Sequence, residues 1–205
     1  MKNKIIYLSG IIGSIICILS YFIFSSLNSE YYHITKAFSE LGSVGQPNTL
    51  LYSFFGFIIP GIFIIIFCLN LTKQVNNGNV KKHPFILIML SAILMSLGGF
   101  PMNYNEFSST TSIFHIFSVM SSGLVFIIGA FTISKQLKKD KNWKTLIRPL
   151  LILVWILIVS GFFRTSEFPG LAQKIGILAY YIYISLLSWN AYKLYKKEKA
   201  VANKV

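Results

Sequence analysis

Lys135-Gln136-Leu137-Lys138-Lys139-Asp140-Lys141-Asn142-Trp143-Lys144-Thr145-Leu146-Ile147-Arg148 carries six basic side chains between two long apolar stretches. The gap before the preceding stretch, residues 101–111, has no Lys or Arg and one acid, Glu106. Outward from this segment the contrast repeats. Six apolar stretches divide the chain, and the lysines collect in every second gap. Lys2 and Lys4 precede the first stretch; Lys73, Lys81 and Lys82 follow the second; Lys193, Lys196, Lys197, Lys199 and Lys204 follow the sixth. With the quoted segment these account for sixteen of the nineteen basic residues. The other gaps hold Lys36, Arg164 and Lys174, with four of the six acids: Glu30, Glu40, Glu106 and Glu167. Short cytoplasmic loops retain Lys and Arg. The alternation therefore predicts a multi-pass protein of the cell (plasma) membrane, with six transmembrane helices and both termini cytoplasmic.

Composition agrees. Of 205 residues, 54% are hydrophobic and 12% charged, with mean hydropathy +0.64; soluble domains average roughly 45–50% apolar and 25% charged residues. The net charge of +13 is divided among four short segments on one membrane face, where it meets anionic headgroups. Topology and lipid attraction account for the basicity without nucleic acid, so the expected partners are membrane lipids; protein partners are not specified. Cys17 and Cys68 lie inside apolar stretches, at no metal or disulfide spacing. The first stretch is too long for a signal-peptide core and is followed by no clear cleavage site, so it reads as a retained helix.

Crossing the hydrocarbon takes about 20 apolar residues. The expected helices of this single all-α domain, residues 1–205, are approximately 5–27, 49–72, 84–100, 112–134, 146–163 and 170–192. Ser9, Gly10, Gly13 and Ser14 place small residues four apart on the first, which lets a neighbour approach closely. Gly56, Pro60 and Gly61 predict a kink in the second, because Pro60 removes a backbone donor. The third is the shortest. The fourth, with Ser118, Ser121, Ser122 and Gly129, is the most polar and is expected at the centre of the bundle. In the first outer loop, Tyr31, Ile34, Phe38 and Leu41 recur at helical spacing, with His33, Lys36 and Glu40 on another face. This predicts a short amphipathic surface helix ended by Gly42 as its C-cap.

Polar groups in lipid are costly unless they face a bundle interior or water. At the outer boundary, five segments bring Ser39, Glu40 and Asn48; Asn103; His115; Arg164; and Gln173 with Lys174. If the bundle closes normally they surround one outward mouth, and these eight are the candidate ligand contacts. Glu40 and His115 are the candidates for acid–base work. Their bland alternatives are a structural ion pair of Glu40 with Lys36 or Lys174, a helix-to-helix hydrogen bond from His115, and snorkelling of Arg164 and Lys174 to headgroups.

Phe38-Ser39-Glu40-Leu41-Gly42 followed by Pro47-Asn48, then Phe100-Pro101-Met102-Asn103, His115 and Gly170-Leu171-Ala172-Gln173-Lys174 resemble in order the motifs of a prokaryotic membrane family known only as domain of unknown function 998. The resemblance covers nearly the whole chain and implies the six-helix fold, not a reaction. Asn103 stands where that family usually has Asp, which excludes a carboxylate there; Lys174 stands where it often has Arg.

The histidine inventory limits the chemistry. His83 falls on the cytoplasmic side, leaving His33 and His115 outside. That is too few for a three-histidine zinc hydrolase or a bis-histidine two-haem carrier. Ser39 lacks the glycines of a nucleophile elbow, and no P-loop or dinucleotide fingerprint occurs. No metal or cofactor is expected. Three readings remain: an outward-facing binding or transport-like module for a small polar or lipid-headgroup ligand, a membrane enzyme acting on a lipid headgroup through Glu40 and His115, and an accessory protein whose motif locks the outer loops.

Overall fold

The computed structural model describes residues 2–74, 83–138, 140–165 and 167–202. They form helices α1 (Lys2–Ser26), α2 (Thr49–Ser53), α3 (Ile59–Gln74), α4 (His83–Leu97), α5 (Thr110–Leu137), α6 (Ile147–Phe162) and α7 (Pro169–Ala202). A π-helical turn, Phe54–Ile58, joins α2 to α3. No strand occurs among the described residues. Five segments are long and apolar enough to cross a membrane: Lys4–Ser26, Thr49–Leu71, Thr110–Leu137, Lys144–Phe162 and Pro169–Val201. α4 is apolar but has only 15 residues, about 22 Å of helix against a hydrocarbon core of about 30 Å. These helices are consistent with a multi-pass membrane protein.

The six apolar segments follow one another around a ring, each packed on its chain neighbour and closing between α7 and α1. At one end, Val44 N–H donates to the Met102 carbonyl and Leu171 N–H to the Ile34 carbonyl, both 2.9 Å, which gathers the acid-bearing loops together. At the other end, Ser188 Oγ donates to the Tyr7 carbonyl at 2.6 Å and Asn190 Nδ2 to the Asn142 carbonyl at 3.1 Å. The N-terminal helix, the 138–146 loop and the C-terminal helix therefore share the lysine-rich end. Lys81, Lys82, Lys139 and Lys204 of the alternation lie outside the described residues.

Lipid offers no hydrophobic drive for helix association, so close van der Waals approach has to supply it. The small residues of α1 do this. A Cβ on Gly10 would lie 2.9 Å from Ser188 Cβ of α7, and one on Gly13 2.8 Å from the Pro60 carbonyl of α3. Outward, Phe117, Met120, Leu124 and Ile128 of α5 are exposed at helical spacing, as are Ile15, Leu19 and Phe22 of α1. The expected bend at Pro60 has a local cause that begins earlier. Ile59 N–H bonds to the Phe54 carbonyl, five residues back, and Pro60 has no N–H to continue the ladder.

Two expectations are corrected. The most buried span is α7, not the serine-rich α5, with 56% of its apolar window buried against 33% for α5, although Leu171, Ile175, Leu178 and Ile182 keep one face of α7 exposed. Tyr180, Tyr181 and Tyr183 stand in the core of α7, where Tyr180 and Tyr183 pack on Phe126 of α5 at ring separations of 4.5 and 5.0 Å. The serines of α5 are satisfied locally or on a neighbour's backbone: Ser122 Oγ donates to the Ser91 carbonyl of α4 at 2.8 Å and Ser134 Oγ to the Ala130 carbonyl of its own helix at 2.9 Å. The first loop is also not an exposed amphipathic helix. Its helix is the 3-10 turn Phe38–Gly42, with Phe38, Ser39, Leu41 and Gly42 buried. Gly42 is needed for contact and not for a left-handed cap: a Cβ there would meet Ser53 Oγ at 3.1 Å and the Tyr52 ring at 3.2 Å, while the left-handed glycine is Gly45, φ 84°.

Candidate functional site

The first loop is held from both sides by backbone-directed bonds. Phe38 N–H donates to Gln173 Oε1 at 2.6 Å, and Tyr52 Oη donates to the Phe38 carbonyl at 2.9 Å. Glu40 turns back on its own turn: Oε1 accepts from Ala37 N–H at 2.7 Å, and Oε2 pairs with Lys36 Nζ at 3.3 Å. Lys174, from the second turn of α7, donates to the carbonyls of His33 and Lys36 at 2.7 and 2.5 Å. Its ammonium also lies 5.0 Å from the Tyr31 ring centroid and 5.7 Å from that of Tyr21. Gly170 completes the joint, since a Cβ there would run into the Lys36 carbonyl. His33 is not simply solvated: its Nδ1 shares a hydrogen bond with Tyr21 Oη.

The second outer loop is pinned in the same way. His115, buried on α5, hydrogen-bonds through Nδ1 to the Phe100 carbonyl at 3.0 Å. A carbonyl only accepts, so this bond fixes the Nδ1–H tautomer and satisfies an orphan carbonyl just past the end of α4. Ser112 Oγ accepts from Asn103 N–H at 2.9 Å, and Asn103 Oδ1 accepts from Asn105 N–H at 3.0 Å. Asn48 opens α2 in a left-handed conformation, φ 61°, which Asn tolerates better than other side chains. Tyr104 sits beside Ser39, and burial pushes its phenol up to about 12, with the Glu40 carboxylate adding to the shift and the Ser39 hydrogen bond opposing it. Burial raises the Tyr31 phenol as well.

The eight candidate residues thus do not surround one open mouth. Glu40 and His115 are committed to different loops, with no hydrogen bond between them among the described residues. Glu40 pairs with Lys36 and not with Lys174. Ser39, Arg164 and Gln173 meet instead at a cavity of about 400 Å³ between α5, α6 and α7. Its volume falls in the roughly 300–1,000 Å³ range of ligand pockets.

The cavity follows from how α6 is placed. Only Leu150, Val154 and Ser160 of α6 are buried, and the α5–α6 seam is the loosest around the ring. Glycines on both sides keep it open. A Cβ built on Gly123 of α5 or Gly161 of α6 meets nothing within 4 Å. At the α7 wall, Gly176 approaches Ser160 so closely that a Cβ would lie 2.6 Å from its Oγ. The deep walls are Phe57, Met95 and Tyr180, with Ile127 and Leu157 half-buried and Leu124 at the exposed outer edge. Arg164 sits at the polar end, in the 3-10 turn Phe163–Thr165. Among the described residues it has no hydrogen-bond or ion-pair partner.

Sequence reasoning named the three polar residues and missed Gly123, Gly161 and Tyr180. The signal was present as glycines inside apolar helices, where Gly is unfavourable relative to Ala by about 1 kcal/mol without a compensating reason. Among the described residues no group of three or more His, Cys, Asp or Glu is placed to hold a metal ion. No curated protein and no solved structure matches the chain. A family model described as "Protein of unknown function (DUF998)" matches residues 11–190. With that match spanning most of its length, the chain belongs to the DUF998 family of proteins of unknown function.

Proposed function

We propose that the protein is an amphiphile-binding module of the cell membrane, with hydrocarbon held in the α5–α6–α7 cavity and a polar head at Ser39, Arg164 and Gln173. The observation that carries this reading is the lining itself: an apolar chamber, widened by Gly123 and Gly161, with polar side chains gathered at one end. From Val119 to Ile127 the cavity runs about 12 Å along α5 at 1.5 Å per residue. That is under half of a hydrocarbon core of about 30 Å, so it reaches into one leaflet. Glu40, Asn48, Asn103, His115 and Lys174 then act by positioning the loops that roof the cavity. Their commitment to backbone groups supports this role over acid–base chemistry.

The test is photolabelling of protein in lipid discs with a fatty acid bearing a diazirine along its chain. Adducts should concentrate on peptides containing Val119–Ile127 and Leu157–Gly161. Even labelling over all lipid-facing helices would remove the reading.

We further propose that α4 crosses with the five longer segments, giving six spans with the lysine-rich end cytoplasmic. The charge alternation supports this orientation. Single cysteines replacing Asn105 and Asn142 in a cysteine-free chain should react with an impermeant thiol reagent from outside and from inside, respectively. The reverse pattern would overturn the orientation.

A further inference from the structure

We infer that the head group held at this cavity is anionic, a phosphate or carboxylate, with Arg164 as its counter-charge. The inference rests on the amphiphile-binding reading and adds the ligand's charge to it. Among the described residues lining the cavity, Arg164 is the one cation and none is Asp or Glu. Among the described residues no carboxylate lies within ion-pair distance of its guanidinium. The contrast with the other outer cations is direct. Lys36 is paired with Glu40, and Lys174 is used up by two carbonyls and two aromatic faces.

Arg164 is exposed at the outer edge of the apolar cavity, so a ligand seated there would desolvate its guanidinium, and a counter-charge on that ligand would offset the cost. The planar fork of the guanidinium matches carboxylate and phosphate oxygens in a bidentate arrangement. Gln173 is nearly fully buried and lines the same cavity. Its carbonyl oxygen is occupied by Phe38 N–H, which leaves the amide N–H₂ group as its remaining function, a donor. The Ser39 hydroxyl on the same rim is directed at the Tyr104 phenol, so the donors facing a ligand are the Arg164 guanidinium and the Gln173 amide. Cation and donors together favour an oxyanion over a cationic head.

The experiment measures binding of three single-chain probes to the full chain in neutral lipid discs: palmitate, palmitoyl lysophosphatidylglycerol and monopalmitoylglycerol. One or both anionic probes should bind about tenfold tighter than the neutral one, the worth of one charge-assisted contact. The stronger of the two identifies carboxylate or phosphate as the source. Arg164→Gln should remove the preference by weakening the anionic probes about tenfold more than monopalmitoylglycerol, and Arg164→Lys should keep part of it. Equal binding of all three probes, or a preference that survives in Arg164→Gln, would overturn the inference. Gly123→Leu with Gly161→Leu separates the two levels. Loss of all binding in that variant without any charge preference in the wild type would sink the anionic assignment alone. Binding unaffected by filling the cavity would sink the amphiphile reading beneath it.

Discussion

The two polar regions at the acid-bearing end are built in opposite ways. Where the first loop meets α7, every strong group named has a partner: Glu40 with Ala37 N–H and Lys36, Gln173 with Phe38 N–H, Lys174 with two carbonyls. Where α5, α6 and α7 diverge, the polar rim includes an arginine with no hydrogen-bond or ion-pair partner among the described residues, and two glycines border empty space. A satisfied network is how a membrane protein fixes irregular backbone at its boundary. An unsatisfied cation beside open volume is how it leaves room for something else. The cluster of polar residue types is denser at the first region, yet the chemistry still available is at the second.

That comparison breaks most sharply at Gly170. Replacing it with Val drives a side chain into the Lys36 backbone, and the loop cannot dock without moving. The expected loss is about 3 kcal/mol, read as a fall in thermal midpoint in detergent. An unchanged midpoint would mean that the loop–α7 joint is not a structural keystone. Lys174→Met comes next. It leaves two carbonyls without their charged donor and should cost about 2 kcal/mol. Hydrogen exchange should rise in residues 29–37 and not in α5 or α6. A global rise would show that the loop does not open separately.

Tyr104 offers a pH test of the same packed region. Its phenol is held near 12 in the folded protein against 10.0 for the free group. The unfolded chain therefore loses this proton first as pH rises. Stability from this group is complete below pH 10 and declines between pH 10 and 12, by at most about 1.4 kcal/mol per pH unit. Tyr104→Phe should flatten that decline. An equally steep decline in the variant would place the cause elsewhere.

The smallest effect has the opposite sign. Gly123→Ala and Gly161→Ala add a methyl where nothing stands within 4 Å, inside regular helices. Each should stabilise by about 0.5–1 kcal/mol through helix propensity, seen as a small rise in thermal midpoint. A destabilisation of that size would mean that the cavity closes in the working protein.

Much of the scaffold was legible because its causes are local or periodic. The apolar stretches and the alternating lysines needed only composition along the chain. Gly10 and Gly13 were readable as contact points from their spacing, and Pro60 as a bend from its missing N–H. The centre of the bundle was not legible. Serines on α5 suggested interior placement, but a serine satisfies itself on its own helix or a neighbour's backbone anywhere in a bundle. The greater burial of α7 depends on how six segments close, which one-dimensional spacing does not encode. The candidate site failed to appear as one mouth for a related reason. Residue type and depth placed Glu40, His115 and Arg164 at the same level, but only tertiary position decides which find backbone partners.

The most direct test of the central claim is native mass spectrometry of the protein released from lipid discs, beside Gly123→Leu/Gly161→Leu of matched thermal stability. The wild type should retain a bound amphiphile that the filled variant lacks. Equal retention by both, or no bound amphiphile on either, would contradict a ligand site between α5, α6 and α7.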